Sequence, residues 1–344
     1  MRGRDAAPAG PRSRLTDRVS RANLWRVALL FAVALGLAPG LVWRTPTGLR
    51  SDVAVVQVTP LAERAGVAGQ LKLAGVWELT SAHGWFGGFS ALAAAGPSHL
   101  IAGSDRGWLL DLDLSGPAPH AVPRSFRFVG ERRKTREEVV DLESLARDPA
   151  SGTLWGGFES QNVVFRWSRD GTRTTRQPPE MADWSDNSGP ETMARLADGR
   201  FIILAEGPVD GSKTVHEGLL FPRDPVAPAR PQRFRFVAEA DYDPVDMTQL
   251  PDGRVLILLR RVEYTLPATF DTAIAIADPR AIRPGGEWRA KVIERMTGGV
   301  FADNFEGIAF VPSADDPSRG AIWVIADDNF SVFQRSILVR FDWK

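Results

Sequence analysis

The chain has 344 residues, 44% of them hydrophobic and 24% charged, a composition that folds rather than remaining disordered. Its 42 basic and 42 acidic residues are unevenly spread: nine arginines and two aspartates fall within residues 1–50, which leaves 33 basic against 40 acidic residues beyond, a net of −7. A mildly acidic folded part argues against nucleic acid as a partner, the absence of cysteine excludes disulfides, thiol catalysis and cysteine-held zinc, and four histidines without HxH or HExxH spacing give no basis for a histidine-built metal site.

Residues 1–23 are basic, and residues 24–43 form an apolar run interrupted by Arg26 and by Pro39-Gly40. This is the pattern of an export signal, intermediate in length between a secretory h-region and a membrane span of ~20 residues. It predicts one hydrophobic helix that is either a cleaved signal peptide or, slightly favoured, an uncleaved inner-membrane anchor. Either way the arginine flank stays cytoplasmic and the bulk is periplasmic or extracellular, with membrane contact only through residues 24–43. Residues 44–70 read as a linker.

From there the chain repeats. Five blocks align: Ser90–Ala93, Glu143–Ala146, Glu191–Ala194, Asp246–Gln249 and Glu306–Ala309, starting 53, 48, 55 and 60 residues apart. Each is followed by a turn (Gly96-Pro97, Ser151-Gly152, Asp198-Gly199, Asp252-Gly253, or the longer loop from Asp315 to Gly320) and a second apolar run. Two further strand-like stretches complete each of the early repeats, as in 108–114 and 124–129 or 217–222 and 232–237. Four strands per repeat make a propeller blade. The last repeat has only the stretch 336–343 after its hairpin, so a strand near 71–79 is expected to supply the missing one and close the ring. The expectation is therefore an all-β fold over 71–344, a β-propeller of five four-stranded blades, with six as the alternative.

In a blade the start of the first strand and the end of the second open on the same face. The distances fit: Ser90 to Asp105 is 15 residues, Glu143 to Glu159 is 16, Glu191 to Glu206 is 15, Asp246 to Arg260 is 14, and Glu306 to Asp327 is 21 across the inserted loop. Glu143, Glu191, Asp246 and Glu306 thus form an expected inner ring, backed by Asp105, Glu159, Glu206 and Asp327 or Asp328. So many carboxylates in a partly desolvated mouth need cations, arginines or raised pKa values. Ca²⁺ bound by Asp105, Glu143, Glu159, Glu206, Asp246, Asn304, Asp327 and Asp328 is one answer, and pairing with Arg260, Arg261 or Arg335 is the other. Both together suit a phosphate or other anionic ester.

The blocks Gly87-Gly-Phe-Ser-Ala-Leu92, Ser104-Asp-Arg-Gly107, Asp141-Leu-Glu-Ser-Leu-Ala146, Gly189-Pro-Glu-Thr-Met-Ala194, Ala205-Glu-Gly207 and the stretch 250–261 recur in one known family. Above all, Asp303-Asn-Phe-Glu-Gly-Ile-Ala-Phe310 and Asp327-Asp-Asn-Phe330 with Gln334-Arg335 resemble the bacterial phytase-like β-propeller domain, whose members carry the name "esterase-like activity of phytase". The resemblance spans about 70–344 and implies an exported propeller that hydrolyses phosphate or carboxylic esters. Asp105, Glu143, Glu159, Glu191, Glu206, Arg260, Arg261, Asn304, Glu306, Asp327, Asp328, Asn329 and Arg335 match its motif positions. The second blade departs from the family pattern, with Ser144 for a glycine and Ser160 for an arginine.

Two classes of function follow. In the first, a metal-dependent hydrolase, Glu191 or Glu306 activates water while Arg260 and Arg335 hold developing negative charge. A calcium-dependent lactonase is a related version, with Asn187 and Asn304 available to it. In the second, the propeller binds a ligand or protein without turning it over. No GxSxG elbow is present, and Asp111-Leu-Asp-Leu-Ser115 lies in a blade strand without the α/β context of an aspartyl phosphatase nucleophile.

Overall fold

The computed structural model describes residues 25–33, 50–51, 53–62, 67–131, 140–185, 189–265 and 268–344. The chain divides into two units, Met1–Arg44 and Thr45–Lys344. In the first, residues 25–33 form a helix with Trp25, Leu29, Leu30 and Phe31 exposed. Among the described residues no helix is long and apolar enough to cross a membrane.

The second unit is a five-bladed β-propeller. Its innermost strands are Phe89–Gly96, Leu142–Arg147, Thr192–Arg195, Asp243–Gln249 and Asn304–Pro312, and each touches the next in a closed ring. From each, antiparallel strands step outward. In the fourth blade the order is Asp243–Gln249, Val255–Glu263, Thr269–Ala277 and Lys291–Met296. The hairpins between first and second strands turn on the residues expected of them. Gly199 and Gly253 both sit at φ 89°, a conformation that a side chain disfavours.

The fifth blade is closed by the N-terminal strand. Lys72–Ser81 lies antiparallel to Ile337–Trp343, with Trp77 opposite Leu338 and Val76 opposite Val339. The expected strand near 71–79 is thus present. The stretch expected as a linker also contributes structure: Val56–Pro60 pairs outside Lys72–Ser81, and Val67–Gly69 pairs on the outer edge of the fourth blade. A third addition, Glu287–Arg289, runs parallel to Gln232–Val237 at the edge of the third blade. Each covers backbone groups that an edge strand would otherwise expose. In the first blade the expected strand over 124–129 is reduced to Arg127–Phe128, with a separate pair His120–Ala121 on the same neighbour. Pro123, which has no backbone N–H, lies between them.

There is no single core. Five apolar clusters fill the wedges between successive blades. This explains why the second strands read as continuous apolar runs. Along Val255–Glu263, Leu256 and Leu258 enter the wedge with the fifth blade, whereas Val255, Ile257 and Leu259 enter the wedge with the third. Side chains alternate between two faces, and both faces are buried. Trp77 from the closing strand stacks on Trp323 at 5.6 Å in the wedge between the last blade and the first. Trp77→Ala is expected to cost about 3–5 kcal/mol of unfolding free energy, read from the midpoint of a denaturant titration. A loss below about 1 kcal/mol would mean that the seam is held by backbone pairing alone.

Candidate functional site: an acidic axial funnel

The inner strands are bulged where they enter the axis. Pairing slips by one residue at Ser90, Glu143, Val245 and Glu306, and Glu191 immediately precedes the third inner strand. A bulge re-aims one side chain out of the ladder. At this end of the axis a funnel of about 260 Å³ is lined by Ser90, Asp105, Asp141, Glu143, Glu159, Glu191, Glu206, Arg260, Glu306, Asp327 and Asn329. Eight carboxyl groups therefore face one guanidinium.

Most of the residues singled out from the sequence meet here: Asp105, Glu143, Glu159, Glu191, Glu206, Arg260, Glu306 and Asp327. Asp246 does not. The position equivalent to Glu143 and Glu306 is the bulged Val245, so Asp246 belongs one step further along, with Ser144 and Thr192. All three tie blades together. The Ser144 hydroxyl donates to the Pro190 carbonyl at 2.6 Å and that of Thr192 to the Pro244 carbonyl at 2.8 Å. The fully buried Asp246 carboxylate accepts from the N–H groups of Met247 and Ile308, both at 2.8 Å, and from that of Leu92, joining three blades. Asp328 is likewise a fastener. It accepts from Gly88 N, Phe330 N and the Ser336 hydroxyl, each at 2.9 Å. A Cβ on Gly87 would lie 2.6 Å from its oxygens, which is why that loop carries glycine.

Asn304 stands beside the funnel and orients its contents, accepting from Arg260 at 2.9 Å and donating to Glu306 at 2.8 Å. Arg335 is paired with Asp303 at 2.7 Å and is not among the funnel's lining residues. Arg261 turns to the other face of its strand, toward Asp271, at 2.5 Å. Asn187 lies outside the described residues. Asp141 was missed as a lining residue. It holds φ 46° and accepts from both the backbone N–H and the hydroxyl of Ser160. The signal for it is the position two residues before each bulge, which reads Gly88, Asp141, Gly189, Asp243 and Asn304.

Arg260 is the counter-charge of the ring. Its terminal nitrogens contact Glu206 and Glu306, and all three side chains are about 15% exposed or less. One guanidinium cannot neutralise eight carboxyls, and Asp105, Glu143, Glu159, Glu191 and Asp327 respond by holding protons. Burial pushes Asp105 up to about 8, with Asp141 and Glu306 adding to the effect and Arg106 opposing it. Burial pushes Glu159 up to about 7. Glu143, Glu191 and Asp327 are raised well above the usual carboxylate range by burial and then by neighbouring carboxylates, chiefly Glu306, Glu206 and Glu306 respectively. Glu306 is also raised by burial, against the pull of Arg260. Two sets of three carboxylates, Asp141 with Glu143 and Glu159, and Glu159 with Glu191 and Glu206, bring oxygens within 4.8 Å of one another.

A five-bladed propeller with carboxyl groups converging at one axial mouth is the class that fold and site define. The family model described as "Phytase-like: Esterase-like activity of phytase" matches residues 84–330, and the chain belongs to that family. No curated protein matches the chain. Among solved structures it is similar to streptogramin B lyase (10% identity, 84% of this chain and 98% of that one, TM-score 0.38). It is similar also to the WD40 β-propeller domain of Doa1 (12%, 79% and 96%, TM-score 0.41). A third is Kuenenia stuttgartiensis hydrazine synthase (12% identity, TM-score 0.34), where 70% of this chain spans 55% of that one.

Two outcomes follow from the charge balance. Asp105 and Glu159 keep protons in the folded chain that the unfolded chain has already released, so stability falls as pH rises toward their folded values. Buried His216, whose pKa is lowered, works in the opposite sense only below the ordinary histidine range. In metal-free buffer the melting temperature is therefore expected to drop between about pH 6.5 and pH 8, and a flat profile would contradict the burial that raises these carboxyls. Asp246→Ala, which strands buried N–H groups of three blades, is expected to lose at least about 2 kcal/mol in chemical unfolding, and more than Asp246→Asn.

Proposed function

We propose that this protein is an exported hydrolase of phosphate or other anionic esters, working at the axial funnel with a bound Ca²⁺ ion. The observation that carries the proposal is the pair of carboxylate triads sharing Glu159. The funnel offers oxygen donors with no thiol or imidazole among its lining residues, which is the donor set of a hard cation. Its carboxyl groups also carry repulsion that a divalent ion relieves. Asp141, Glu143, Glu159, Glu191 and Glu206 are the residues to hold it. When bound, such an ion supplies a positive charge that polarises the ester and offsets its negative charge.

The chain's own residues supply the rest. Arg260, fixed by Glu206, Glu306 and Asn304, sets a positive charge at one side of the ring for the oxygens of an anionic ester. A deprotonated ring carboxylate such as Glu306, oriented by Asn304, takes a proton from the attacking water. A raised carboxyl outside the two triads, such as Asp327, returns one to the leaving alkoxide, so that the two protons balance. Burial of the ring excludes most bulk water from these transfers. The basic flank and apolar run at 24–43 support delivery of the propeller to the periplasm or cell exterior.

One observation favours a second reading. Both terminal nitrogens of Arg260 are engaged by side chains of the ring, as in a structural network, which suits a propeller that binds an anionic ligand without converting it. The full chain, assayed at about pH 8 against phosphate monoesters, carboxylic esters and lactones with Ca²⁺ or with chelator, separates the two. The hydrolase reading expects turnover that chelator removes and Glu306→Gln reduces at least about 100-fold. Glu159→Gln, which touches both triads, is expected to weaken Ca²⁺ binding in calorimetry more than Glu143→Gln does. Ca²⁺ binding without turnover of any substrate class would leave only the binding reading, and no Ca²⁺ binding would end the metal-dependent hydrolase reading.

A further inference from the structure

The two ends of the propeller axis are chemically opposite. Beyond the funnel, where the inner strands finish and turn back, lies a cavity of about 580 Å³. Its wall is apolar and built from small residues: Ala93, Ala146 and Ala194, which end three of the repeated blocks, together with Leu145, Met247 and Phe310. No aspartate or glutamate lines it, and two arginines do, Arg147 and Arg195.

The polar groups here are nearly all committed. Thr248 accepts from Phe310 N at 3.2 Å, and Gln249 bridges Ala197 N at 2.7 Å and the Gly253 carbonyl at 3.0 Å. Arg195 is paired with Asp148 at 3.3 Å and donates to the Leu196 carbonyl. Arg147 differs. Among the described residues its guanidinium has neither an ion pair nor a hydrogen bond, and it stands half-buried at the rim of the apolar space. The volume is within the range of small-ligand sites, ~300–1,000 Å³. One uncommitted cation over an apolar chamber is complementary to one negative charge on an apolar body, and a planar guanidinium matches a carboxylate in two parallel bonds.

We propose that this cavity is a second ligand site, separate from the funnel, which takes a small apolar monoanion such as a medium-chain carboxylate. The hydrocarbon occupies the channel between the alanines, and the carboxylate rests on Arg147. The funnel at the opposite end is lined only by polar and charged residues and offers the hydrocarbon no apolar surface, so an apolar anion is directed to this face.

Calorimetric titration of the full chain with octanoate, 1-octanol and acetate tests the site. Octanoate is expected to saturate at one per chain, octanol to bind more weakly, and acetate to give no saturable heat. Arg147→Gln should weaken octanoate about tenfold while leaving octanol unchanged. Ala197→Trp, placed at an exposed turn of the lining, should weaken both by obstructing the chamber without disturbing the wedges. The proposal is overturned if octanoate does not saturate, if Arg147→Gln leaves its affinity intact, if acetate binds as well as octanoate, or if Ala197→Trp has no effect. Should Ala197→Trp lower the melting temperature, the Arg147→Gln comparison decides alone.

Discussion

Antiparallel pairing of Lys72–Ser81 with Ile337–Trp343 joins the two ends of the propeller, and the site depends on it. Each wedge of core needs a blade on both sides, so an open ring leaves the faces of the first and last blades exposed. Closure places Asn304–Pro312 next to Phe89–Gly96 and completes the circle of strand ends. Only a closed circle holds carboxylates from separate repeats near one another, because each inner strand packs chiefly on its two neighbours in the ring. Ser144, Thr192, Asp246 and Asp328 reinforce the same constraint from within, each bonding a neighbouring blade. The funnel's repulsion is sustained by the wedges and fasteners around it.

Much of the architecture was legible because the repeat is written in turns and apolar runs, which are local. Asp-Gly turns, the spacing of about fifteen residues between strand ends, and the missing strand in the last repeat led to five blades and to the closure. The three edge additions were not legible. Val56–Pro60, Val67–Gly69 and Glu287–Arg289 are short, and the last two pair with elements distant in sequence.

The site was legible where the repeat is regular and misleading where charge was matched in place of register. Asp246 is acidic and near the right place, yet its interval of 14 to Arg260 was the one that fell short. Counting from Val245 restores 15, the interval of the first and third blades. Asp141 was hidden by the opposite fault, since it lies two residues before the repeated acidic position at Glu143. Arg335, Asn304 and Asp328 are loop or strand-end residues whose partners are chosen by tertiary approach, which no spacing encodes. The direction of the charge imbalance was foreseeable. The way it divides between one arginine and many retained protons was not.

Arg260 gives the ring something that repetition denies it. Repeated blades tend toward rotational equivalence, and a mouth lined by identical acids would present a ligand with several interchangeable orientations. A single basic group in the fourth sector, held by neighbours on either side, breaks that equivalence and gives the mouth a fixed compass bearing. The repeated ring carries its one lining cation in the fourth blade, so that blade is where selection among stereoisomers of an anionic ligand would be decided.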